Sequence, residues 1–441
     1  MRTPDLPDRP AAVRRAPYGS NPVLGRHGSR AREEILDAAR RMFAERGYHG
    51  TTVEAIGTES GRSGASVYQY FEGKGGIFRV LVDELTADIL PQARELGAAE
   101  PAPAADDLES LRGRVARLAV MLERHATTLS LWPVAEQDEP TLAGSTRRFV
   151  DAFAEMLSPR LAAAGVPAAR RRGLAIGIAA MVQWSHLTRS ARVPAMPVQV
   201  LDDVLTRVLY LALYPASRPG VAPVGPPVRR PERPDATRPS ADPGVVPGVR
   251  RRITDRNRPT LQRLTAAATT AFRRNGFVGT SINDIAVEAG VSHASVYTYW
   301  PDRSGVFTTL AHEASVALSE HLERAEPVTG LESACHWLEG WFELVARYGS
   351  VLFIWTHEAL HDPRLGPLAA EMERYVNGHL DVLLRTAPTA GTLDTGASHV
   401  VLWSLLTDFP YALSLQLGAV SRRQALDILT TMVTHGLLGY R

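Results

Sequence analysis

The chain has 441 residues, of which 45% are hydrophobic and 22% charged, and its formal net charge is +2. These values are typical of a folded globular protein of roughly two to four domains and exclude a fibrous or largely disordered chain. A single cysteine, Cys335, excludes a disulfide framework within the chain and a thiolate metal site, and it favours a reducing, cytoplasmic setting.

Two segments of the chain are strongly cationic. Residues 1–32 hold seven arginines and two aspartates, and residues 216–258 hold ten arginines and four acidic residues. These arginines are suited to contact phosphate, or they simply keep the segments solvated. Residues 1–29 lack the apolar segment of a secretory signal and predict a disordered basic tail. No later run is long enough to span a membrane, so no membrane partner is expected.

A stretch of 44 residues occurs twice. Residues 35–78 recur at 264–307 with a constant offset of 229, no gap and 17 identities. Composition alone would give roughly three identities, so the repeat indicates an internal duplication. The similarity continues with an offset of 223, which aligns Leu108 with Leu331. Each half is therefore a short motif followed by a longer segment.

Helical periodicity dominates both halves. Apolar residues recur at spacings of three and four, as in Leu111, Val115 and Leu118, and no strand alternation is sustained. The pattern predicts an all-α fold. Eleven prolines between Pro215 and Pro259 mark a linker, for which we expect polyproline or flexible-coil behaviour.

The repeated stretch predicts three short helices. In the first copy, an apolar stripe that includes Ile35 and Phe43 forms helix 1, which Gly47 ends. Thr51 and Thr52 offer N-cap oxygens for helix 2. The order of helices and turns that results is that of a helix-turn-helix, so double-stranded DNA is the predicted partner.

The third helix is the predicted recognition helix. Gly61 supplies a tight turn before it, and Ser63 can cap it. In a helix-turn-helix, this helix lies in the major groove with its N-terminal residues against base edges. The small residues Gly64, Ala65 and Ser66 allow the backbone to approach the duplex closely.

A cation follows the third helix in both copies. Lys74 is the only lysine in the chain, and its counterpart is Arg303. Retention of a cation by different residues indicates that the position requires positive charge. Together with Tyr68 and Tyr70, Lys74 is suited to contact phosphate.

The two motifs together resemble the DNA-binding domain of the TetR (tetracycline-repressor) family. The resemblance rests on AARRMFAERGYHGTT and SGRSGASVYQYF in the first copy, and on IAVEAGVSHASVYTYW, the closer match, in the second. It implies a three-helix DNA-binding domain followed by a larger helical domain. That larger domain is expected to bind a small molecule and to dimerise through its last two helices.

The resemblance also implies roles for individual positions. The expected phosphate contacts are Thr51, Thr52, Tyr68, Tyr70 and Lys74 in the first copy and Thr280, Ser281, Tyr297, Tyr299 and Arg303 in the second. The expected base readers come from Gly64, Ala65, Ser66 and Gln69, and from His293, Ala294, Ser295 and Thr298, with the caps Ser63 and Ser292 and the turn residue Arg62 beside them.

The first copy departs from the family pattern at two positions. Gly57 stands where alanine is usual, and it weakens helix 2 by up to about 1 kcal/mol. Arg62 stands where an apolar residue such as Val291 is usual, and it either reaches phosphate or loosens the turn. One alternative is therefore a regulator in which only the second motif binds DNA.

Six segments are predicted in chain order. They are a disordered basic tail at 1–29, a first helix-turn-helix domain at 30–76, a first helical regulatory domain at 77–214, a Pro/Arg-rich linker at 215–258, a second helix-turn-helix domain at 259–305 and a second helical regulatory domain at 306–441. Two motifs in one chain predict a pseudo-dimer on DNA, because operator symmetry matches protein symmetry. A further homodimer, carrying four motifs, stays open.

The pseudo-dimer helices are predicted at 173–190 and 200–214 in the first half and at 397–417 and 422–438 in the second. The alternative is that these helices only close each domain's own core. Because Gly64 and Gln69 are replaced by His293 and Thr298, we expect the two half-sites of the operator to differ.

An unknown small molecule is the expected effector, and no cofactor or metal is expected. Candidate pocket residues are the tryptophans Trp132, Trp184, Trp341, Trp355 and Trp403, which could line an apolar cavity. One string suggests an enzyme: residues 357–361, HEALH, match the H-E-x-x-H zinc motif. The first copy lacks histidines there and Asp362–Pro363 ends the helix, so we expect no enzyme activity.

Overall fold

The computed structural model describes residues 26–98, 105–214, 229–324, 328–357, 365–410 and 421–440. These residues form helices and short helical turns without a strand, which confirms the all-α prediction. The helices of the first half are α1 (Arg26–Gly50), α2 (Val53–Glu59), α3 (Gly64–Val67), α4 (Gly73–Gly97), α5 (Ala105–Arg124), α6 (Ala126–Asp138), α7 (Ser145–Ala163), α8 (Ala168–Arg192) and α9 (Val198–Leu213).

The second half repeats this order. Its helices are α10 (Arg258–Gly279), α11 (Ile282–Ala289), α12 (His293–Tyr297), α13 (Arg303–Arg324), α14 (Leu331–His357), α15 (Gly366–Thr386), α16 (Thr395–Trp403) with a π-helical continuation at Ser404–Asp408, and α17 (Arg422–Leu429) with a π-helical continuation at Thr430–Leu437. Where the first half has two helices, α5 and α6, the second has the single long helix α14.

The chain divides into two compact units. Among the residues that the structure describes, the first unit comprises those from 26 to 87 and from 127 to 146, and the second comprises those from 88 to 126 and from 147 to 440. The first unit is built on an aromatic cluster, in which Phe43 stacks on Tyr48 at 5.7 Å and meets Phe78 edge-on at 5.4 Å. The end of α6 is fixed to this cluster, because the Tyr48 hydroxyl donates to Glu139 Oε1 at 2.6 Å.

The second motif lies in the second unit and repeats the core of the first. Phe272 and Phe277 pack edge-on against Phe307, with ring centroids 6.0 and 5.4 Å apart. The glycine that ends helix 1 has the same left-handed backbone in both copies, with φ of 66° at Gly47 and 69° at Gly276. The sequence repeat is thus a repeat of the fold.

Within the second unit, α8 and α9 of the first half pack on the last helices of the second half. α8 contacts α17 and the π-helical continuation of α16 at Ser404–Asp408. α9 contacts α16 and the π-helical continuation of α17 at Thr430–Leu437. Each helix therefore touches its own counterpart and that counterpart's neighbour. This is the pattern of contacts that a two-fold axis generates.

Glycines allow the closest approaches in this four-helix packing. A Cβ at Gly177 of α8 would lie 2.4 Å from Cγ2 of Ile428, and a Cβ at Gly436 would lie 2.7 Å from the Val208 carbonyl oxygen. At the edge, the guanidinium of Arg170 donates to Thr431 at 2.9 Å. The helices are thus in direct contact, and atoms of one half occupy the space beside a glycine of the other half.

Residues 229–257, here called the strap, correct the expectation of a free linker. Thr237 and Ile253 of the strap are buried. The Thr309 hydroxyl donates to the Pro247 carbonyl at 2.7 Å, and His312 Nδ1 donates to the Ala236 carbonyl at 2.9 Å. The strap is therefore packed along α13. The proline-rich composition predicted a free linker, but proline residues keep their carbonyl oxygens, and side chains of α13 donate hydrogen bonds to carbonyls of the strap.

Some of the predicted segments lie outside the described ranges. These are the basic tail up to residue 25, the first part of the linker at 215–228, four of the five HEALH positions (358–361) and residues 411–417 of one pseudo-dimer helix. In the part of the chain that the structure describes, no helix is long and apolar enough to cross a membrane. The same part contains no cluster of side chains that could hold a metal ion.

Candidate nucleic-acid interface and ligand cavities

The first helix-turn-helix is held together by two side-chain caps. Thr52 Oγ1 accepts from the Ala55 backbone N–H at 3.1 Å at the start of α2, and Ser63 Oγ accepts from the Ser66 N–H at 3.1 Å at the start of α3. Gly61, with φ of 68°, makes the turn between them. Val67 is fully buried and fixes α3 on the domain core. The opposite face of α3 is left to solvent.

The second motif has the same construction with a stronger cap. Ser281 and Asp284 form a capping box at the start of α11, which satisfies two backbone N–H groups at once. Ser292 caps α12, and its hydroxyl lies 2.8 Å from that of Ser295. The rings of His293 and Tyr297 meet edge-on at 4.8 Å. This contact fixes His293 along the exposed face of the recognition helix.

Most of the predicted contact residues lie on the solvent-facing side of these short helices. Tyr68 and Tyr297, at equivalent positions, are 46% and 42% exposed, which is unusual for large aromatic side chains. The other predicted residues that are exposed or half-exposed are Thr52, Ser63, Gly64, Ala65, Ser66, Gln69 and Tyr70 in the first copy and Ser281, Ser292, His293, Ala294, Ser295 and Thr298 in the second.

Three residues that were predicted to contact phosphate are buried in the structure. Thr51 and Thr280 are each 1% exposed. The Thr51 hydroxyl donates to the Gly47 carbonyl at 2.7 Å, and that of Thr280 donates to Gly276 at the same distance. Both threonines therefore hydrogen-bond to the last turn of the first helix of their motif, α1 or α10. Tyr299 is also buried, unlike its counterpart Tyr70.

The cation after the third helix has internal partners in both copies. Lys74 Nζ donates to the Tyr48 carbonyl at 2.8 Å and lies 4.1 Å from the centre of the Tyr48 ring. Arg303 donates to the Thr280 carbonyl at 3.0 Å and lies 4.5 Å from the centre of the Phe277 ring. Burial lowers the pKa of Lys74. These contacts give the requirement for positive charge a structural reason within each domain, and the phosphate contact stays a prediction.

Arg62 also has an internal partner. Its guanidinium donates to Glu34 Oε2 at 2.6 Å, and hydrogen bonds from Arg62 and Arg30 hold the pKa of the Glu34 carboxyl below its usual value. The second copy has Val291 and Arg263 at the equivalent positions. The departure from the family pattern at Arg62 is therefore explained by an ion pair that joins the turn to α1.

The strap adds cations beside the second motif. The backbone N–H of Arg250 donates to the Tyr299 carbonyl at 2.7 Å, directly after the second recognition helix. The side chains of Arg250 and Arg251 are exposed. The cationic composition of the segment was the available signal, but only the packed strap brings it beside the motif.

The tryptophans proposed for a ligand pocket do not share one cavity. Trp132 and Trp341 are buried, and their indole N–H groups donate to Ser145 and to the Leu406 carbonyl. Trp184 packs edge-on against Phe353 at 5.7 Å. Trp355 and Trp403 do line one apolar cavity, whose volume is only about 20 Å³. That space holds no drug-sized molecule in this conformation.

Comparison with known proteins extends this description. The family model of bacterial regulatory proteins of the tetR family matches residues 35–81 and 264–310. The transcriptional repressor AcnR of Corynebacterium glutamicum is 36% identical over 78 residues, which are 18% of this chain and 42% of that protein. The chain thus spans about two fifths of the length of this relative. The repressor LfrR of Mycolicibacterium smegmatis is 28% identical over 160 residues, which are 36% of this chain and 80% of that protein.

Two solved structures are also similar. The fatty acid degradation regulator FadR from Bacillus halodurans is 15% identical, with 42% of this chain and 98% of that chain covered and a TM-score of 0.33. The SmeT–triclosan complex is 19% identical, with 41% of this chain and 91% of that chain covered and a TM-score of 0.32.

Proposed function

This chain is a TetR-family protein with two tandem units, and from that premise we propose that it is a DNA-binding transcriptional regulator in which the two motifs act as a pseudo-dimer. The observation that carries the proposal is the pair of exposed recognition-helix faces. α3 and α12 are each fixed by one buried valine and turn Tyr68 and Tyr297 to solvent. An exposed aromatic side chain at the same point of both copies is suited to a duplex surface.

The pseudo-dimer proposal is supported by the four-helix packing of the second unit. α8 and α9 meet the last helices of the second half in a pattern of contacts with two-fold character. In this proposal, the surface through which identical chains would pair is the one that these four helices share within one chain. One chain then presents two motifs to one operator, with half-sites that match its own pseudo-symmetry.

We further propose that the operator is asymmetric and that a small-molecule effector releases the protein from it as a repressor. At base-facing positions, Gly64 and Gln69 differ from His293 and Thr298, while Ala65 and Ala294 are the same. An effector acts only through a difference in its affinity for two conformations. In the second half, α13 begins at Arg303, directly after the recognition helix, and so provides the mechanical connection.

Mass in solution, measured together with stoichiometry on DNA, tests the proposal. An operator would first be selected from random duplexes with the full chain. We expect a species of 48.0 kDa that binds one operator per chain and protects two adjacent half-sites. Two chains on one operator would contradict the pseudo-dimer, and a failure to select any duplex would contradict the DNA-binding function itself.

The alternative, in which only the second motif binds, is separated by matched substitutions. Ala65 and Ala294 are both exposed on their recognition helices, and glutamate at either position would repel the phosphate backbone. Ala65→Glu should erase one half of the footprint and Ala294→Glu the other. An unchanged footprint in the Ala65→Glu protein would establish the one-motif alternative.

A further inference from the structure

The strap runs along α13 from the last turn of that helix to the first. At one end, Arg230 donates to the carbonyl oxygen of Glu323, in the last turn of α13, at 3.1 Å. At the other end, a Cβ at Gly248 would lie only 2.2 Å from the carbonyl oxygen of Gly305, in the first turn. These two points of α13 are about 27 Å apart along the helix. Only the last part of the strap is therefore beside the second recognition helix.

The last part of the strap has a fixed backbone. The Arg250 backbone N–H donates to the Tyr299 carbonyl oxygen at 2.7 Å, and the side chain of Ile253 is buried. The Asn257 side chain donates to the Arg252 carbonyl oxygen at 3.1 Å. The residues between these points are held by contacts within the chain, so a ligand there would meet an ordered backbone and binding would cost less conformational entropy.

The arginines of this fixed segment differ in whether their charge is balanced. Asp242 accepts hydrogen bonds from the Arg252 guanidinium with both carboxylate oxygens. The side chains of Arg250 and Arg251 are exposed, and neither guanidinium has an ion pair or a hydrogen bond among the described residues. Two adjacent cations are thus left without a balancing charge.

The second motif as a whole carries more positive charge than the first. Residues 250–303 hold nine arginines and four acidic residues, whereas the equivalent residues 21–74 hold eight basic and seven acidic residues. Where the first copy has Glu34 and Glu45, the second has Arg263 and Arg274. The fold is repeated, but the charge balance is not. Because the salt-dependent part of DNA affinity follows the number of phosphates neutralised, the two motifs should differ in it.

The position of Arg250 determines what the two free cations can reach. A recognition helix in the major groove, which is about 12 Å wide, has a phosphate backbone on either side. The Arg250 backbone contacts Tyr299, two residues after the end of α12. Side chains that begin there lie at the border of the groove once α12 is inserted, and a guanidinium presents a fixed fork of N–H donors to a phosphate.

We propose that Arg250 and Arg251 bind the phosphate backbone of duplex DNA beside the second half-site, so that the second motif carries most of the salt-dependent affinity of the chain. The proposal rests on the proposed function, because it takes α12 to lie in a major groove. The second motif then holds a duplex of any sequence through its charge. The first motif, with little net charge, contributes chiefly through contacts to bases.

The salt dependence of DNA affinity, measured with the full-length chain, tests the proposal. Each phosphate contact contributes about 0.9 to the slope of log affinity against log salt concentration. Arg250→Gln with Arg251→Gln should lower the slope by about two and weaken binding about tenfold at about 0.1 M salt, for the selected operator and for a duplex of mixed sequence alike. Arg250→Lys with Arg251→Lys keeps the charge and should keep the slope.

Arg229→Gln with Arg238→Gln is the matched control, because it removes the same charge from the earlier part of the strap. Both side chains are exposed, and Arg238 pairs with Asp235 at 3.0 Å. This control should leave the slope unchanged. An unchanged slope in the protein that carries glutamine at 250 and 251, or an equal decrease in the control, would overturn the proposal and leave the selected operator in place.

Ethylation interference on the selected operator locates the contacts. Ethylated phosphates that weaken the unaltered chain but not the double glutamine variant should lie beside the half-site whose footprint Ala294→Glu erases. Contacts beside the other half-site would overturn the assignment to the second motif. Failure to select an operator would count against the proposed function alone, since the duplex of mixed sequence still reports on Arg250 and Arg251. Failure to bind any duplex would overturn both.

Discussion

A lysine and an arginine at equivalent positions of the two copies each stabilise their own domain through contacts of the positively charged group. Lys74 and Arg303 each donate to a backbone carbonyl at the end of helix 1 and lie over the aromatic ring that follows its glycine. From sequence alone, a cation beside a recognition helix indicates phosphate. The structure places both cationic groups on partners within their own domain.

Replacing Lys74 separates these two roles. Lys74→Met removes a carbonyl hydrogen bond and a cation–π contact, so we expect a loss of about 1–2 kcal/mol in the free energy of unfolding of the first motif. Lys74→Arg should restore most of it. The slope of DNA affinity against salt should not change, because no phosphate contact is lost. A slope reduced by about one would instead place Lys74 on phosphate.

His321 predicts a pH dependence of stability. Burial lowers its pKa from 6.5 to about 4, so between these values the unfolded chain binds a proton that the folded chain does not. Stability is therefore lost as the pH falls from 6.5 towards 4, by about 2 kcal/mol at pH 5 relative to pH 7. His321→Gln, which copies the counterpart Gln92, should remove this contribution in urea unfolding at the two pH values. An equal loss in both proteins would contradict the assignment.

At the scale of elements, close packing between the halves depends on glycines in helices. Gly177 admits the side chain of Ile428 onto α8, and Gly436 admits the backbone of α9. Helical glycines cost conformational entropy, so their presence here needs a packing reason. The strap is a second such element, since Gly248, with φ of 80°, lies so close to α13 that a Cβ would sit 2.2 Å from the Gly305 carbonyl oxygen.

Filling the notch at Gly177 should weaken the four-helix packing. Gly177→Leu overpacks against Ile428 and should destabilise the second unit by about 1–3 kcal/mol in thermal or chemical unfolding. Adding Ile428→Ala should recover part of that loss. Gly113→Leu is the matched control, because a Cβ added at that helical glycine would have no neighbouring atom closer than 3.5 Å. Equal losses at both glycines would show that the packing is not the cause.

At the scale of the whole molecule, two different motifs in one chain predict an operator whose two half-sites differ in sequence. In the proposed pseudo-dimer, each copy is free to change by itself, because neither has to serve both half-sites. The differences fall at Gly64 and Gln69 against His293 and Thr298, on exposed faces of α3 and α12. A side chain at Gly64 would meet only ordinary contacts with Glu54, at 3.4 Å, so the position tolerates exchange.

Making the two recognition helices alike should make the preferred operator symmetric. The variant Gly64→His with Gln69→Thr carries the proposed base-reading residues of the second copy in both motifs. Selection from random duplexes should then favour a palindrome built from the half-site of the second motif, while the unaltered protein favours an asymmetric site. A palindrome preferred by the unaltered protein would contradict the asymmetric operator.

The sequence by itself determined the all-α class, the duplication and the local frame of each motif. Those features follow from short-range rules: apolar spacing sets helices, Ser and Thr cap them, and glycine makes the turn at Gly61. The exposed candidates on α3 and α12 were predicted for the same reason, since the buried Val67 and Val296 fix which face is left outside.

Only the tertiary structure decided which polar side chains were already engaged. Thr51 and Lys74 carry groups suited to phosphate, but the Thr51 hydroxyl donates to the Met42 and Gly47 carbonyls, and the Lys74 ammonium donates to the Tyr48 carbonyl. The packed strap likewise depends on long-range contacts, which composition and spacing do not encode. Hydrogen-bonding capacity can be read from residue types, whereas its partner is set by where the fold brings the chain together.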